Sequence, residues 1–186
     1  WLDDFAAGGL RTWIAPGFES ASMQVKRARE IAYRWDEPAG HRGLEAALSQ
    51  IAQAQAHPSG RLSGVVAPNG LEFCTETLLR QSDAAAKERG LSLQIHTGES
   101  INEFHELTRR HGVSGIQWAH QIGLLGPMRA IGHALFLDHH PDISLINHRR
   151  RILQAGIHDH RPSHGQELAD LRRHGSDEAD AGIIAT

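Results

Sequence analysis

The chain has 186 residues and a mass of 20.4 kDa, with 40% apolar and 22% charged residues, a formal charge of −3 and a pI near 6.5. Such values are ordinary for one globular domain and exclude wholesale disorder and collagen-like repetition. Mean hydropathy is −0.40, no apolar run approaches the roughly 18 residues of a membrane span, and no basic excess favours nucleic acid or an anionic membrane.

The predicted elements alternate short apolar runs with longer helical patterns, the rhythm of βα units on a parallel sheet. Trp1-Leu2-Asp3-Asp4 opens the chain without an initiator Met or a signal pattern, so the sequence reads as the interior of something longer. Arg11-Thr12-Trp13-Ile14-Ala15 is the first strand, closed by Pro16-Gly17. A long connection through Arg34-Trp35-Asp36-Glu37-Pro38 leads to a helix with Leu44, Ala47, Leu48 and Ile51 on one stripe, stopped by Pro58-Ser59-Gly60.

Leu62 to Ala67 is the second strand, turned by Pro68-Asn69-Gly70. Thr75 caps the next helix, whose apolar side holds Leu78, Leu79, Ala85 and Ala86, and Gly90 ends it. Leu91 to His96 is the third strand, and Ser100-Ile101-Asn102-Glu103 reads as a capping box. The helix behind it carries Phe104 and Leu107 and ends at His111-Gly112. A short helix from Ile116 to Ile122 leads through Gly126-Pro127 to a fourth strand, Ala130 to Leu137.

After about Asp138 this rhythm stops. Seven of the fourteen histidines (His139, His140, His148, His158, His160, His164 and His174) fall in the last 48 residues, with six arginines and no lysine. The expectation is a folded body over 1–138 and a His/Arg-rich tail over 139–186, poorly ordered or a non-native, out-of-frame extension. His158-Asp159-His160 is formally a His-x-His pair, but no clear strand leads into it; Arg149-Arg150-Arg151 reads as a solvated charge run.

In parallel α/β folds chemistry gathers at the C-terminal ends of the strands. His96 closes the third strand there, and Glu99 follows three residues on, in the turn. His133 lies in the fourth strand beside Gly132, which permits a close approach. Imidazole is the commonest metal ligand among side chains, and a carboxylate can shuttle protons beside a metal-activated water. Each residue also has a plain structural reading: a hydrogen-bonded strand-end histidine, a favourable charge at a helix start, a satisfied core histidine. Trp13, Phe18 and Trp35 read as packing aromatics, Cys74 as an inert helix-start thiol, and His105, His111 and His120 as surface or helix-end groups.

Gln94-Ile95-His96-Thr97-Gly98-Glu99-Ser100, Glu103-Phe104, Gly123-Leu124-Leu125-Gly126 and Gly132-His133-Ala134-Leu135-Phe136-Leu137-Asp138, in this order, resemble the middle of the metal-dependent amidohydrolase superfamily. The branch is that of the cytosine deaminases, guanine deaminases and triazine chlorohydrolases. The resemblance implies an α/β fold, a partial (β/α)8 TIM barrel of roughly strands three to six with an irregular C-terminal tail. It also implies His96 as a metal ligand, Glu99 as the proton shuttle and His133 as the catalytic residue that steadies the metal water or the tetrahedral intermediate. The cofactor implied is a divalent metal, zinc first, with iron or manganese as alternatives. The reaction implied is hydrolysis of a non-peptide carbon–nitrogen bond in a small heterocyclic substrate, with chloride as the leaving group in some relatives.

Two parts of that pattern are not found: the first-strand His-x-His, expected before Trp1, and the eighth-strand aspartate, expected past Asp138. A catalytic metal wants about three protein ligands, so a fragment with an incomplete site is expected, in which the metal need not bind. Two other readings stay open: an inactive remnant or scaffold piece, and a small open α/β binding domain in which both histidines are structural. The exposed edges of a half barrel predict self-association.

Overall fold

The computed structural model describes residues 1–26 and 30–136, together with the backbone of 153–154. Its spine is a parallel sheet in the order β1 (Thr12–Ile14), β5 (Leu62–Pro68), β6 (Ser92–Thr97), β7 (Arg129–His133) and β8 (Leu153–Gln154), with β2 (Gly17–Phe18) pairing further along β5. Helices α2 (Glu37–Gln55), α3 (Glu76–Arg89), α4 (Ile101–His111) and α5 (Gly115–Gln121) form the crossovers, and α1 (Leu2–Ala7) precedes β1.

The expected βα units are therefore present, and the local signals that set their ends are the ones seen. Asp36 caps α2 by accepting from the Ala39 amide at 2.9 Å, and Thr75 caps α3 by accepting from Leu78 at 3.2 Å. Gly90 ends α3 in the left-handed conformation. Leu44, Ala47 and Ile51 of α2 are buried, whereas Leu48 packs only partly.

Period-two geometry sorts the strands into faces. Leu93 and Ile95 join Leu78, Leu79, Ala86, Leu107, Trp118 and Ala119 in the core between sheet and helices. Gln94 and His96 consequently face the opposite, inner side of the curved sheet. At the start of β7, Arg129 donates to the Asp83 carboxylate of α3, with both residues buried.

Three expectations are corrected. The long connection before α2 is not irregular: β3 (Ala21–Lys26) and β4 (Glu30–Trp35) form an antiparallel hairpin pairing Ala21 with Trp35 through Lys26 with Glu30. The fourth strand stops at His133 instead of Leu137, because His133 and Ala134 turn to φ values of 65° and 51°, which no strand accommodates. A two-residue strand, Leu153–Gln154, does precede the tail's His-x-His. His158-Asp159-His160, Arg149-Arg150-Arg151 and the remainder of the tail lie outside the described residues.

Candidate active site at the ends of β5, β6 and β7

In the parallel register of β6 and β7, His96 stands opposite Gly132 and Thr97 opposite His133. A Cβ at Gly132 would meet His96 Nδ1 at 2.6 Å and Cε1 at 2.9 Å, so the close approach that glycine allows is that of the His96 ring. The imidazoles of His96 and His133 lie 4.8 Å apart between centroids, tilted by 46°. His133 Nε2 is 3.6 Å from the Glu99 carboxylate. The three residues singled out in the sequence thus share one mouth.

That mouth is an open pocket of about 300 Å³ lined by Glu19, Asn69, Gly70, Glu72, Phe73, His96, Glu99 and His133. The residues after β5 reach it because Gly70 bridges to His96 in parallel fashion. Burial lowers the pKa of His96, and the neighbouring His133 lowers it further, against a smaller opposing pull from Glu99 and Glu103. The ring is therefore held neutral, the form that binds metals. Its Nδ1 is buried without a hydrogen-bond partner.

The turn between His96 and Glu99 is organised by a residue whose role the sequence disguises. Ser100 does accept from the Glu103 amide at 3.2 Å, but only half of the expected capping box forms. The buried Glu103 carboxylate turns inward, accepting from Thr97 Oγ1 at 2.6 Å and the Gly98 amide at 2.8 Å through one oxygen, and from the Glu99 amide at 2.7 Å through the other. Gly98, at φ 70°, lies against Ala134 and gives its carbonyl to the Leu135 and Phe136 amides, each at 2.9 Å. One carboxylate thus fixes the backbone that presents Glu99. The full capping box lies further on, at Ser114 and Gln117 of α5.

Glu72 is not singled out by the sequence. It sits in a 3-10 turn, Leu71–Phe73, and is only 7% exposed. Burial first, then Glu103, pushes its carboxyl up to about 7. Arg110 donates to the Glu72 carbonyl at 2.6 Å while its guanidinium lies over the rings of Tyr33 and Trp35, tying the hairpin and α4 to this turn. The capping-box pattern marks Glu103 for a different task, and no motif marks Glu72; an acidic residue inside an apolar run (Leu71-Glu72-Phe73) is the one available signal for it.

Among the other aromatics, Phe18 is buried, but Trp13 and Trp35 are 44% and 42% exposed and neither lines the mouth. Cys74 is buried and its thiol is pushed up to about 12, chiefly by burial, so it is inert as expected. His105 and His120 are exposed, and His111, the last residue of α4, is a helix-end group that also stacks on Trp118 at 3.8 Å.

The donor chemistry suits a metal only in part. His96 offers a neutral strand-end imidazole, but among the described residues no group of three or more His, Cys, Asp or Glu side chains is arranged to hold an ion. They do not make a metal centre by themselves.

No protein-family model matches the chain. A 5'-deoxyadenosine deaminase of Methanopyrus kandleri is 30% identical over 165 residues, covering 89% of this chain and 34% of that protein. The chain spans about a third or less of the length of the curated relatives it matches. Atrazine chlorohydrolase from Arthrobacter aurescens, solved with zinc, superposes with a TM-score of 0.61 at 14% identity, covering 83% of this chain and 32% of that one. Guanine deaminase from C. acetobutylicum, solved with guanine, gives 0.61 at 15% identity, covering 79% and 33%. The chain shares its fold with these hydrolases and its sequence, over most of its length, with a deaminase: it belongs to the amidohydrolase superfamily, of which it is a partial stretch.

Proposed function

We propose that this sequence supplies strands three to six of a metal-dependent hydrolase of the deaminase or chlorohydrolase type, acting on an aminated or halogenated nitrogen heterocycle. The observation that carries this reading is the convergence of His96, Glu99 and His133 on one pocket at the strand ends. The relatives bear names of deaminases and the structural neighbours those of triazine and guanine hydrolases.

Each side chain has a role that its placement allows. His96, neutral through burial, offers one ligand to a divalent ion, zinc first. Such an ion, when bound, makes water a usable nucleophile near neutral pH. Glu99, 57% exposed at the mouth and on a backbone fixed by Glu103, takes a proton from the attacking water and passes it to the leaving nitrogen. His133, within reach of Glu99, donates to the developing oxyanion.

The test is ammonia release by the complete reading frame that contains this sequence, assayed with zinc on aminated purines, pyrimidines and triazines. Glu99→Gln is expected to cut turnover by about 10²–10⁴-fold while folding survives; unchanged turnover overturns the assignment. The same reading frame is expected to encode, upstream, a strand ending in His-x-His. Because the described residues hold an incomplete donor set, the 186-residue stretch alone is expected to take up less than one zinc per chain and to release no ammonia. One tightly held zinc with measurable turnover would contradict that.

A further inference from the structure

The pocket is one-sided in charge. Glu19, Glu72 and Glu99 line it, and no lysine or arginine does. Two of the three carboxylates have a partner on the protein: Glu19 accepts from Asn69 Nδ2 at 2.8 Å, and Glu99 faces His133. Glu72 is the most buried of them at 7% exposure, and among the described residues no cationic side chain is bridged to its carboxylate. Arg110 gives its Nη2 to the Glu72 carbonyl and not to the carboxyl, which sets the turn; the carboxyl keeps a hydrogen bond from its own backbone amide. That carboxyl lies back over Gly70: a Cβ there would sit 2.7 Å from Glu72 Oε2. The ring of Phe73 lines the pocket beside it.

A carboxyl largely removed from water and held by a single backbone amide is costly. A ligand edge that accepts the carboxyl O–H at one atom and donates to the carboxyl's other oxygen from the next removes that cost with two paired hydrogen bonds. Planar nitrogen heterocycles with an exocyclic amino group present such an edge: a ring nitrogen and the amino nitrogen on a single carbon, both able to lie in the plane of a carboxyl. Phe73 offers an aromatic surface next to that plane.

We propose that Glu72 is the specificity-determining residue of this pocket, its carboxyl pairing with the ring-nitrogen and amino edge of an aminated heterocycle. The assignment deepens the hydrolase reading and rests on it for the word substrate, but the recognition is a property of these residues alone. It separates aminated heterocycles from purely halogenated ones, which lack the donors.

The probes are 2-aminopyridine, which carries that edge, and 2-methylpyridine, which has the same shape without the amino donors. Both are titrated into the chain and followed by the Gly70 and Gly98 amide signals. The chain is expected to bind 2-aminopyridine about tenfold or more tightly than 2-methylpyridine. Glu72→Met, similar in volume and without polar atoms, is expected to bring that ratio to about one. Glu72→Gln, which keeps an acceptor and a donor in one plane, is expected to retain part of the preference.

A second measurement needs no variant: the carboxyl carbon resonance of Glu72 is expected to shift on adding 2-aminopyridine and to stay put with 2-methylpyridine. Equal affinity for the two probes, a preference untouched by Glu72→Met, or a silent Glu72 carboxyl each overturns the assignment. No readout involves turnover. A failure of the hydrolase reading therefore leaves this selectivity measurable, and a failure of selectivity leaves hydrolysis to be judged by ammonia release.

Discussion

The two ends of β7 are built by opposite rules. At its start, Arg129 is buried, donating to Asp83 from Nε at 2.8 Å and to the Met128 carbonyl at 3.1 Å, and Lys87 closes the outer side of Asp83 at 2.6 Å. At its finish, four residues on, His133 and the following Ala134 hold positive φ values, and the Glu99 carboxylate is 3.6 Å from the His133 ring. One end is satisfied and dry; the other is strained and wet. The difference teaches where this fold keeps its stability and where it spends some of it. Barrel strands carry stabilising residues at their N-terminal ends and functional ones at their C-terminal ends, and non-glycine residues in the left-handed region persist where their surroundings over-determine them.

The sharpest way to break that contrast is Asp83→Ala. It leaves the Arg129 guanidinium buried without its carboxylate, an arrangement that costs about 3–5 kcal/mol. Urea unfolding is expected to show a loss of that size, while the mutual ring-current shifts of His96 and His133, at the far end, stay as they were. A loss below about 1 kcal/mol would mean that the start of β7 is no more than a solvated ion pair.

Glu103→Ala is the corresponding experiment at the mouth. Thr97 Oγ1 and the amides of Gly98 and Glu99 all lose their acceptor, and unsatisfied buried donors cost about 1–3 kcal/mol each where water cannot reach them. The pocket admits water to part of this turn, so a total near 3 kcal/mol is expected, below that of Asp83→Ala. Amide exchange at Gly98 and Glu99 is expected to accelerate with it. Unchanged protection at those two positions would show that the turn holds itself.

These residues also mark how far the sequence could be read. Strand order, helix ends and the triad at the mouth follow from local signals: apolar runs, Thr75 and Ser100 as caps, Gly90 and Gly112 as stops. The β3–β4 hairpin escapes because β3 is exposed on both faces from Ser22 to Lys26, so that Met23 and Val25 mark no buried side, and Arg27-Ala28-Arg29, between its strands, is no turn signature. Glu103 shows the limit most clearly. A serine followed three residues later by glutamate is a local pattern, and the serine obeys it, but the glutamate is taken by Thr97 and Gly98 across the strand end. Tertiary competition of that kind is invisible to spacing rules. Glu72 is worse placed still, since its turn is tied to Arg110 of α4 and, through that guanidinium, to Tyr33 of the hairpin, which only the fold brings together.

The pH dependence of stability sharpens the comparison from the mouth side. The Glu72 pKa is about 7 in the folded chain against an ordinary value of 4.5. The folded state then holds this proton more tightly than the unfolded one, so its contribution is full below about pH 4.5 and is lost as pH rises through 7. The displacement corresponds to about 3 kcal/mol; with the pocket open to water, about 2 kcal/mol is the realistic size. His96 and His111, both lowered by burial, act in the opposite direction, adding stability as pH rises toward 6.5. The difference between wild type and Glu72→Gln isolates the carboxyl: relative to the variant, wild type is expected to lose about 2 kcal/mol between pH 4.5 and 7.5 in urea titrations. Parallel curves would remove Glu72 from the account.

The smallest effect isolates the strain itself. A non-glycine residue in the left-handed region costs about 1–2 kcal/mol, and glycine there avoids this while giving back about 0.5–1 kcal/mol through the greater freedom of its unfolded chain. His133→Gly is therefore expected to be more stable than His133→Ala by about 1 kcal/mol, since both lack the imidazole and only the alanine keeps the strained φ of 65°. Comparing the two variants with each other, and not with wild type, cancels the loss of the His96 contact and of the Glu99 charge. The same pair applied at Ala130, in the regular part of β7, is expected to run the other way, with glycine the less stable. If glycine and alanine at position 133 prove equal, the mouth end of β7 is no more strained than its start, and the placement of His133 needs no compensation from the residues around it.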